Sequence, residues 1–285
     1  MTEKERSAVA ELIVQAFAED IGDGDHTSLA TIPLDAIGKV ELIAKDTGVV
    51  AGVEVAAMVF IELDEELKVD IFIKDGSSIV PGDRVMTVEG SSRSILSAER
   101  TALNFIQRMS GIATFTNKVV NQIADLNTKL LDTRKTTPCN RIVEKLAVRL
   151  GGGTNHRFGL FDMIMIKDNH VDFAGGISNA ISSTQSYLKE KEKSLKIEIE
   201  VRNFDELNEV IDTGGVDRIM LDNFSPADLS KAVNLIGNRF ETEASGGITI
   251  DNIRKYAETG VDFISVGALT HQIKSLDLSL KTIEN

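Results

Sequence analysis

Arg134, Lys135, His156, Arg157 and Lys167 crowd one stretch of the sequence, each near the end of a short apolar run. Cations so placed bind anions: a guanidinium matches a carboxylate or phosphate bidentately, and an ammonium neutralises it as a point charge. Residues 132 to 170 carry seven Lys/Arg against four Asp/Glu, a local positive excess in a chain of net charge -13. An anionic ligand is the expected consequence. Acids follow. In Lys196-Ile-Glu-Ile-Glu-Val201, strand alternation puts Ile197, Ile199 and Val201 on one face and Glu198 and Glu200 on the other; Arg218, Met220 and Asp222 share a face by the same rule. Helices cover the apolar face of a parallel sheet, so these charges point inward with Lys167. An unpaired charge there costs several kcal/mol, so each must pair or meet a ligand or metal. Glu198 and Arg218, near strand starts, are expected to pair with each other. Glu200, Asp222 and Lys167 fall at strand C-terminal ends, where barrel enzymes build their sites, and are the expected functional groups. Glycine-rich turns at Ser245-Gly246-Gly247 and around Gly267, each expected to lead into a helix N-terminus, fit a phosphate.

The elements that must position these groups are legible as periodicity. Strands are expected at 129 to 133, 162 to 167, 196 to 201, 217 to 222, 240 to 245 and 262 to 266, alternating with helices near 140 to 150, 176 to 190, 204 to 213, 226 to 236 and 250 to 258. Such alternation is the signature of a parallel sheet or βα barrel. Ser225-Pro226 reads as an N-cap followed by proline at the first helical position. Earlier, an amphipathic helix is expected at 7 to 19, a glycine-broken acidic loop at 19 to 28, and a β-rich region from 38 to 96 with a helix at 53 to 63. The acidic loop lacks the closing glutamate of a calcium loop and is expected to be structural. A long helical stretch from Ser97 to Asn127, broken near Gly111, joins the halves.

The string Asp132-Thr-Arg-Lys-Thr-Thr-Pro138, Glu144-Lys-Leu-Ala-Val148, Gly151-Gly-Gly-Thr-Asn-His-Arg-Phe-Gly-Leu160 and Ile166-Lys-Asp-Asn-His170 closely resembles the hallmark of the quinolinate phosphoribosyltransferase family. Looser resemblance extends over nearly the whole chain. It implies an α/β fold, an open seven-stranded α/β barrel with an N-terminal α+β sandwich domain: 1–112 as that domain, 113–274 as the catalytic barrel, and 275–285 as a C-terminal helix packing back on the first domain. The implied reaction joins quinolinate to 5-phosphoribosyl-1-pyrophosphate with loss of CO2, giving nicotinate mononucleotide and pyrophosphate.

Residue by residue, the resemblance implies that Arg100, Arg134, His156, Arg157 and Lys167 bind quinolinate. Lys135, Glu200, Asp222, Ser245, Gly246, Gly247 and Gly267 would receive the phosphoribosyl donor, and Lys135, Lys167, Glu200 and Asp222 would carry the catalysis. Magnesium is implied with the donor, held by Glu200 and Asp222 directly or through water. Arg100, in Glu99-Arg100-Thr101, would by itself be a surface charge; the resemblance implies that it reaches a neighbouring subunit's site, hence a homodimer or a higher multiple of dimers with a shared active site. Cys139 stands where many relatives carry glycine, and no base is paired with it in sequence, so it is expected to be inert. Lys274 is a departure that could alter the edge of the phosphate loop.

Other readings of the same residues are a related phosphoribosyltransferase-like group, a Schiff-base aldolase using Lys135 or Lys167, and a non-enzymatic phosphate-ligand sensor. His156 as a metal ligand lacks a second histidine at ligand spacing; His170 and His271 are expected to be structural. The acidic balance argues against non-specific nucleic-acid binding. No apolar run spans a bilayer, the first residues lack the apolar core of a signal peptide, and the single cysteine, Cys139, fits a reducing compartment, so a cytoplasmic location is expected.

Overall fold

The computed structural model describes residues 1–283 of the chain. In order the elements are α1 (Glu3–Asp20), α2 (His26–Thr31), β1 (Ile37–Ala44), β2 (Gly48–Val49), α3 (Val53–Leu63), β3 (Lys68–Ile71), β4 (Ser78–Ile79), β5 (Arg84–Ser91) and α4 (Ser92–Asn121). There follow β6 (Lys129–Leu131), α5 (Arg141–Leu150), β7 (Ile164–Ile166), α6 (Asp168–Ala174), α7 (Ile177–Glu190), β8 (Ile197–Val201), α8 (Phe204–Thr213), β9 (Arg218–Asp222) and α9 (Pro226–Ile236). The chain closes with β10 (Glu241–Ser245), α10 (Ile253–Ala257), β11 (Phe263–Ser265), α11 (Ala268–His271) and β12 (Leu278–Thr282). Two units result: Met1–Asn117 with Thr136–Gly152 and Leu269–Asn285, and Lys118–Lys135 with Gly153–Ala268.

The first unit is built on an antiparallel sheet of order β12-β1-β5-β3, with a two-stranded ribbon β2-β4. Val55, Val59, Phe60, Val85, Met86, Ile106 and Met109 are buried, each contributing about 1.5–3 kcal/mol as its surface leaves water. The acidic loop is structural in its contacts: Asp25 caps α2 by accepting from the Ser28 N–H at 3.0 Å and takes the Ser97 hydroxyl at 3.0 Å. Asp75 supplies a cap that the sequence spacing hid, accepting the N–H groups of Val53 (2.9 Å) and Glu54 (3.1 Å) at the start of α3.

Several expectations are corrected here. Residues 275–285 were expected to be a helix, but Leu278–Thr282 is strand β12, paired antiparallel with β1 from Val40↔Thr282 to Ala44↔Leu278. The Leu-Ser-Leu-Lys alternation of β12 is the period-2 signal that a tail so short makes easy to overlook. Residues 92 to 96, the end of the region expected to be β-rich, begin α4, which runs unbroken to Asn121. Gly111 therefore does not break the helix. It admits the backbone of the C-terminal segment: a Cβ there would lie 3.0 Å from Ser275 Cα and closer still to the Lys274 carbonyl oxygen. Helix α5 belongs with the first unit, although the barrel was expected to run from 113 to 274 without interruption. There its Glu144 is fully buried, accepting from Arg108 Nε at 3.1 Å, Arg108 Nη2 at 2.8 Å and the Thr137 N–H at 3.1 Å.

The second unit is a parallel sheet of six strands, order β6-β11-β10-β9-β8-β7, where seven were expected; beside β6 only an isolated parallel bridge, Thr154 to Leu131, is present among the described residues. Ile197, Ile199, Val201, Ile219 and Leu221 are buried, as are Leu207, Val210, Leu229 and Ile236 on α8 and α9. Ser225 caps α9 with Pro226 at its first position. Glu198, Glu243 and Arg218 are buried too, so charge as well as hydrocarbon fills this interior.

Candidate active site

A cavity of about 450 Å³ in the second unit is lined by Thr133, Arg134, Lys135, His156, Arg157, Met165, Lys167, Glu200, Met220, Asp222, Glu243, Ser245 and Ser265. Every strand of the parallel sheet contributes a residue from its last positions or the turn beyond. Parallel strands place their C-terminal ends on one side, so distant segments converge there. Arg134, Lys135, His156, Arg157, Lys167, Glu200, Asp222 and Ser245, all expected from the sequence, are brought together. Gly246, Gly247 and Gly267 stand in the turns beyond β10 and β11 rather than in the wall. The Ser245–Gly247 turn does not lead directly into a helix, since α10 begins only at Ile253. Arg100 is exposed on α4 in the first unit and does not line this cavity.

The histidine loop is held from behind. Asp132, fully buried at the end of β6, accepts the His156 N–H at 2.8 Å and the Asn155 amide at 2.6 Å. His156 Nε2 then lies 2.9 Å from Glu198 and 3.3 Å from Glu243, both without solvent exposure. Burial alone would push the imidazole down, but hydrogen bonds and charge from the two carboxylates outweigh it and lift its pKa to about 9. The N–H of Arg157 approaches Nδ1 at 2.7 Å, an arrangement that favours a neutral ring. Charge-assisted bonds are about twice as strong as neutral ones. The carboxylates beside Nε2 outweigh that contact, and their net effect is to favour the protonated ring.

The expected pairing of Glu198 with Arg218 is corrected. Arg218 reaches the opposite way, to Glu243 at 3.0 Å and Glu241 at 3.1 Å, with its guanidinium 3.9 Å over the Phe263 ring. Burial pushes Glu198 up to about 7, with the charge of Glu243 adding to it. Glu243 is buried as well, yet His156, Ser265 and Arg218 hold it below the usual range. Glu243, which lines the cavity, and Asp132, which holds the histidine loop, are residues of the site that sequence reasoning missed. The signal for Glu243 was present, since it shares the inward face with Ser245 at period 2.

Glu200 and Asp222 form the acidic wall. Burial raises both, and the charge of Asp222 raises Glu200 further, while the Asn223 amide, donating at 2.6 Å, opposes the rise at Asp222. Two carboxylates that repel each other in a partly buried site suit a hard divalent cation or a set of hydroxyl donors. Lys167 caps the wall. Its N–H donates to His170 Nδ1 at 2.9 Å, so His170 fixes the chain where β7 turns into α6. Cys139 lies in the first unit, exposed, with φ 64, a left-handed conformation that glycine adopts without strain.

Comparison with known proteins decides the family. Residues 25–110 match the family model described as quinolinate phosphoribosyl transferase, N-terminal domain, and residues 112–281 match the C-terminal domain of the same family. The chain belongs to the quinolinate phosphoribosyltransferase family. It is similar to quinolinate phosphoribosyltransferase [decarboxylating] 1b of Nicotiana tabacum, 46% identical over 95% of this chain and 81% of that protein. It is also similar to the probable nicotinate-nucleotide pyrophosphorylase [carboxylating] of Bacillus subtilis (strain 168), 42% identical over 94% and 91% respectively. Among solved structures, the nicotinate-nucleotide pyrophosphorylase from Francisella tularensis superposes with a TM-score of 0.91 at 42% identity, covering 97% of this chain and 96% of that one. Family membership accounts for both sheets, since similarity extends across the antiparallel and parallel units alike.

Proposed function

We propose that this protein transfers the phosphoribosyl group of 5-phosphoribosyl-1-pyrophosphate to quinolinate with decarboxylation, yielding nicotinate mononucleotide, pyrophosphate and CO2 in the biosynthesis of NAD. The observation that carries this reading is the cavity itself, in which Arg134, Lys135, His156, Arg157 and Lys167 face the carboxylates Glu200 and Asp222. A dicarboxylate and a pyrophosphorylated sugar are both polyanions, and the sugar adds hydroxyls for the acidic wall.

The roles follow from charge and place. Arg134, His156 and Arg157 clamp the two quinolinate carboxylates, with Arg100 of a second copy completing the clamp in a homodimer. The pyridine nitrogen uses its lone pair to form a bond to ribose C1 as the bond from C1 to the pyrophosphate oxygen breaks; Lys135 and Lys167 neutralise the charge that departs. Once bonded to ribose, the ring nitrogen is cationic. The C2 to carboxylate bond then cleaves, its electron pair stays on the ring and is stabilised by that charge, CO2 leaves, and a proton replaces it. No protein nucleophile is required, and positioning supplies much of the acceleration. Ser245, Gly246, Gly247 and Gly267 present the turns that receive the 5-phosphate. Glu200 and Asp222 would hold magnesium, whose charge would assist the departure of pyrophosphate. A cytoplasmic location belongs to the same proposal; among the described residues no helix is long and apolar enough to cross a membrane.

The test is release of labelled CO2 from quinolinate carboxylated at C2, with donor and magnesium each omitted in turn. Release that needs all components and matches nicotinate mononucleotide one to one is the expected result. Folded protein that binds both ligands without releasing CO2 would overturn it.

A further inference from the structure

The turn after β9 is built around Asn223, whose φ of 56 lies in the left-handed region that asparagine tolerates better than most side chains. Its N–H donates to the Ser245 carbonyl at 2.9 Å, tying the end of β9 to the end of β10. Its amide donates to Asp222 Oδ2 at 2.6 Å. On the other side it is pressed against Gly246, where a Cβ would sit 2.6 Å from Asn223 Cγ, 2.9 Å from its backbone nitrogen, and nearer still to Oδ1. Gly246 itself has φ +94, so no other residue satisfies both the backbone and the space. Asn223 is thus wedged between the carboxylate of β9 and the glycine turn of β10.

The ladder alone cannot do this. Ser245 and Asp222 are opposite in register, which sets the distance between their backbones. The last torsion of an aspartate is broad, however, and leaves the direction of the carboxylate open. A single amide that both grips Oδ2 and abuts Gly246 removes that freedom and transmits the position of one turn to the other. We propose that Asn223 is a positioning residue, holding the Asp222 carboxylate at a set spacing from the Ser245–Gly247 turn so that the ribose and 5-phosphate ends of one donor are received together. The inference deepens the function proposed above and rests on it. It makes Asn223 selective in effect: recognition of the phosphoribosyl donor depends on it, and recognition of the pyridine dicarboxylate does not.

Two variants test this. Asn223→Gly keeps the left-handed backbone and removes the amide; Asn223→Asp keeps the shape and replaces the donor by a second carboxylate beside Asp222. Loss of a hydrogen bond to a charged group predicts a KM for 5-phosphoribosyl-1-pyrophosphate raised at least about tenfold in both. The KM for quinolinate should stay within about twofold, and the melting temperature within about 3 °C. Calorimetric binding of the donor alone should weaken in the same proportion, which keeps the inference testable if the wild-type protein binds donor but releases no CO2. That outcome would overturn the proposed reaction and leave the binding measurement to decide Asn223. Wild-type KM values in both variants would overturn the inference. So would equal losses for both substrates together with a lowered melting temperature, because Asn223 would then be structural only.

Discussion

Glu243→Gln is the substitution that most sharply tests the electrostatics of the site. In the wild-type protein Glu198 at 2.9 Å and Glu243 at 3.3 Å favour the charged form of His156 against the cost of burial. A rise from 6.5 to about 9, at roughly 1.4 kcal/mol per unit, makes bound protons worth roughly 3 kcal/mol to the folded state. The folded pKa is above the unfolded one, so this contribution is complete below about pH 6.5 and disappears as the pH rises through about 9. Glutamine keeps the shape of Glu243 and removes its charge, leaving His156 with Glu198 and Arg218 with Glu241. Breaking a buried pair outright costs about 3–5 kcal/mol; with partners remaining, roughly 2–3 kcal/mol is expected, or a melting temperature lower by about 4–10 °C at pH 6. That deficit should shrink as the pH approaches 9.5. The chain has four histidines, so ring resonances can be followed one by one from pH 5 to 10. The His156 ring should titrate at about 9 in the wild-type protein and at least about one unit lower in the variant. A wild-type His156 titrating at or below 6.5 would refute the reasoning. It would mean that the Arg157 N–H at 2.7 Å prevails and the ring is neutral.

Three further perturbations test the first unit. Arg108→Ala strips a fully buried Glu144 of two hydrogen bonds and also loses the Thr270 carbonyl contact at 2.9 Å; chemical denaturation should show a loss of about 3–5 kcal/mol, with strong non-additivity toward Glu144→Gln in a double-mutant cycle. Gly111→Ala forces a Cβ against the Lys274–Ser275 backbone and should lower the melting temperature by several degrees, although alanine ordinarily stabilises a helix interior by about 0.5–1 kcal/mol; a stabilised variant would show that this packing is absent. Asp75→Ala removes the cap of α3 and should cost about 1–2 kcal/mol in the same denaturation assay.

The inward-facing charges were legible because a strand has a period of exact alternation: Glu198 with Glu200, and Arg218 with Asp222, could be assigned to one face without coordinates. Who pairs with whom was not. Arg218 lies between Glu198 on β8 and Glu241 on β10 in the ladder, and period alone cannot choose a side. The choice is made by His156, which arrives from a loop, occupies Glu198 and shares Glu243. Loop residues carry no periodicity, so such a claim on a strand residue leaves no trace in the pattern. The same reason hid Asp75 as the cap of α3, more than twenty residues from the helix start it serves. Helix starts fail differently. The run at 92 to 96 has strand-like composition, and propensity is overridden by its continuity with the long α4.

The charges of the second unit also explain how an acidic chain receives a polyanion. Arg218, Glu241 and Glu243 neutralise one another near the strand starts, with His156 and Glu198 closing the cluster. The cations of the rim, Arg134, Lys135, Arg157 and Lys167, come from β-strand ends and the turns beyond them, which alternate packing does not constrain. Burial and the nearby charge of Arg134 both push the Arg157 guanidinium down, a mutual repulsion that a bound dicarboxylate would relieve. In the same cavity, Glu200 and Asp222 carry the reverse strain, each raised by burial, and Glu200 also by its neighbour. A ligand with anionic ends and hydroxyls between them, together with a cation, relieves both strains at once. Electrostatic strain of both signs within one cavity thus makes it complementary to such a ligand.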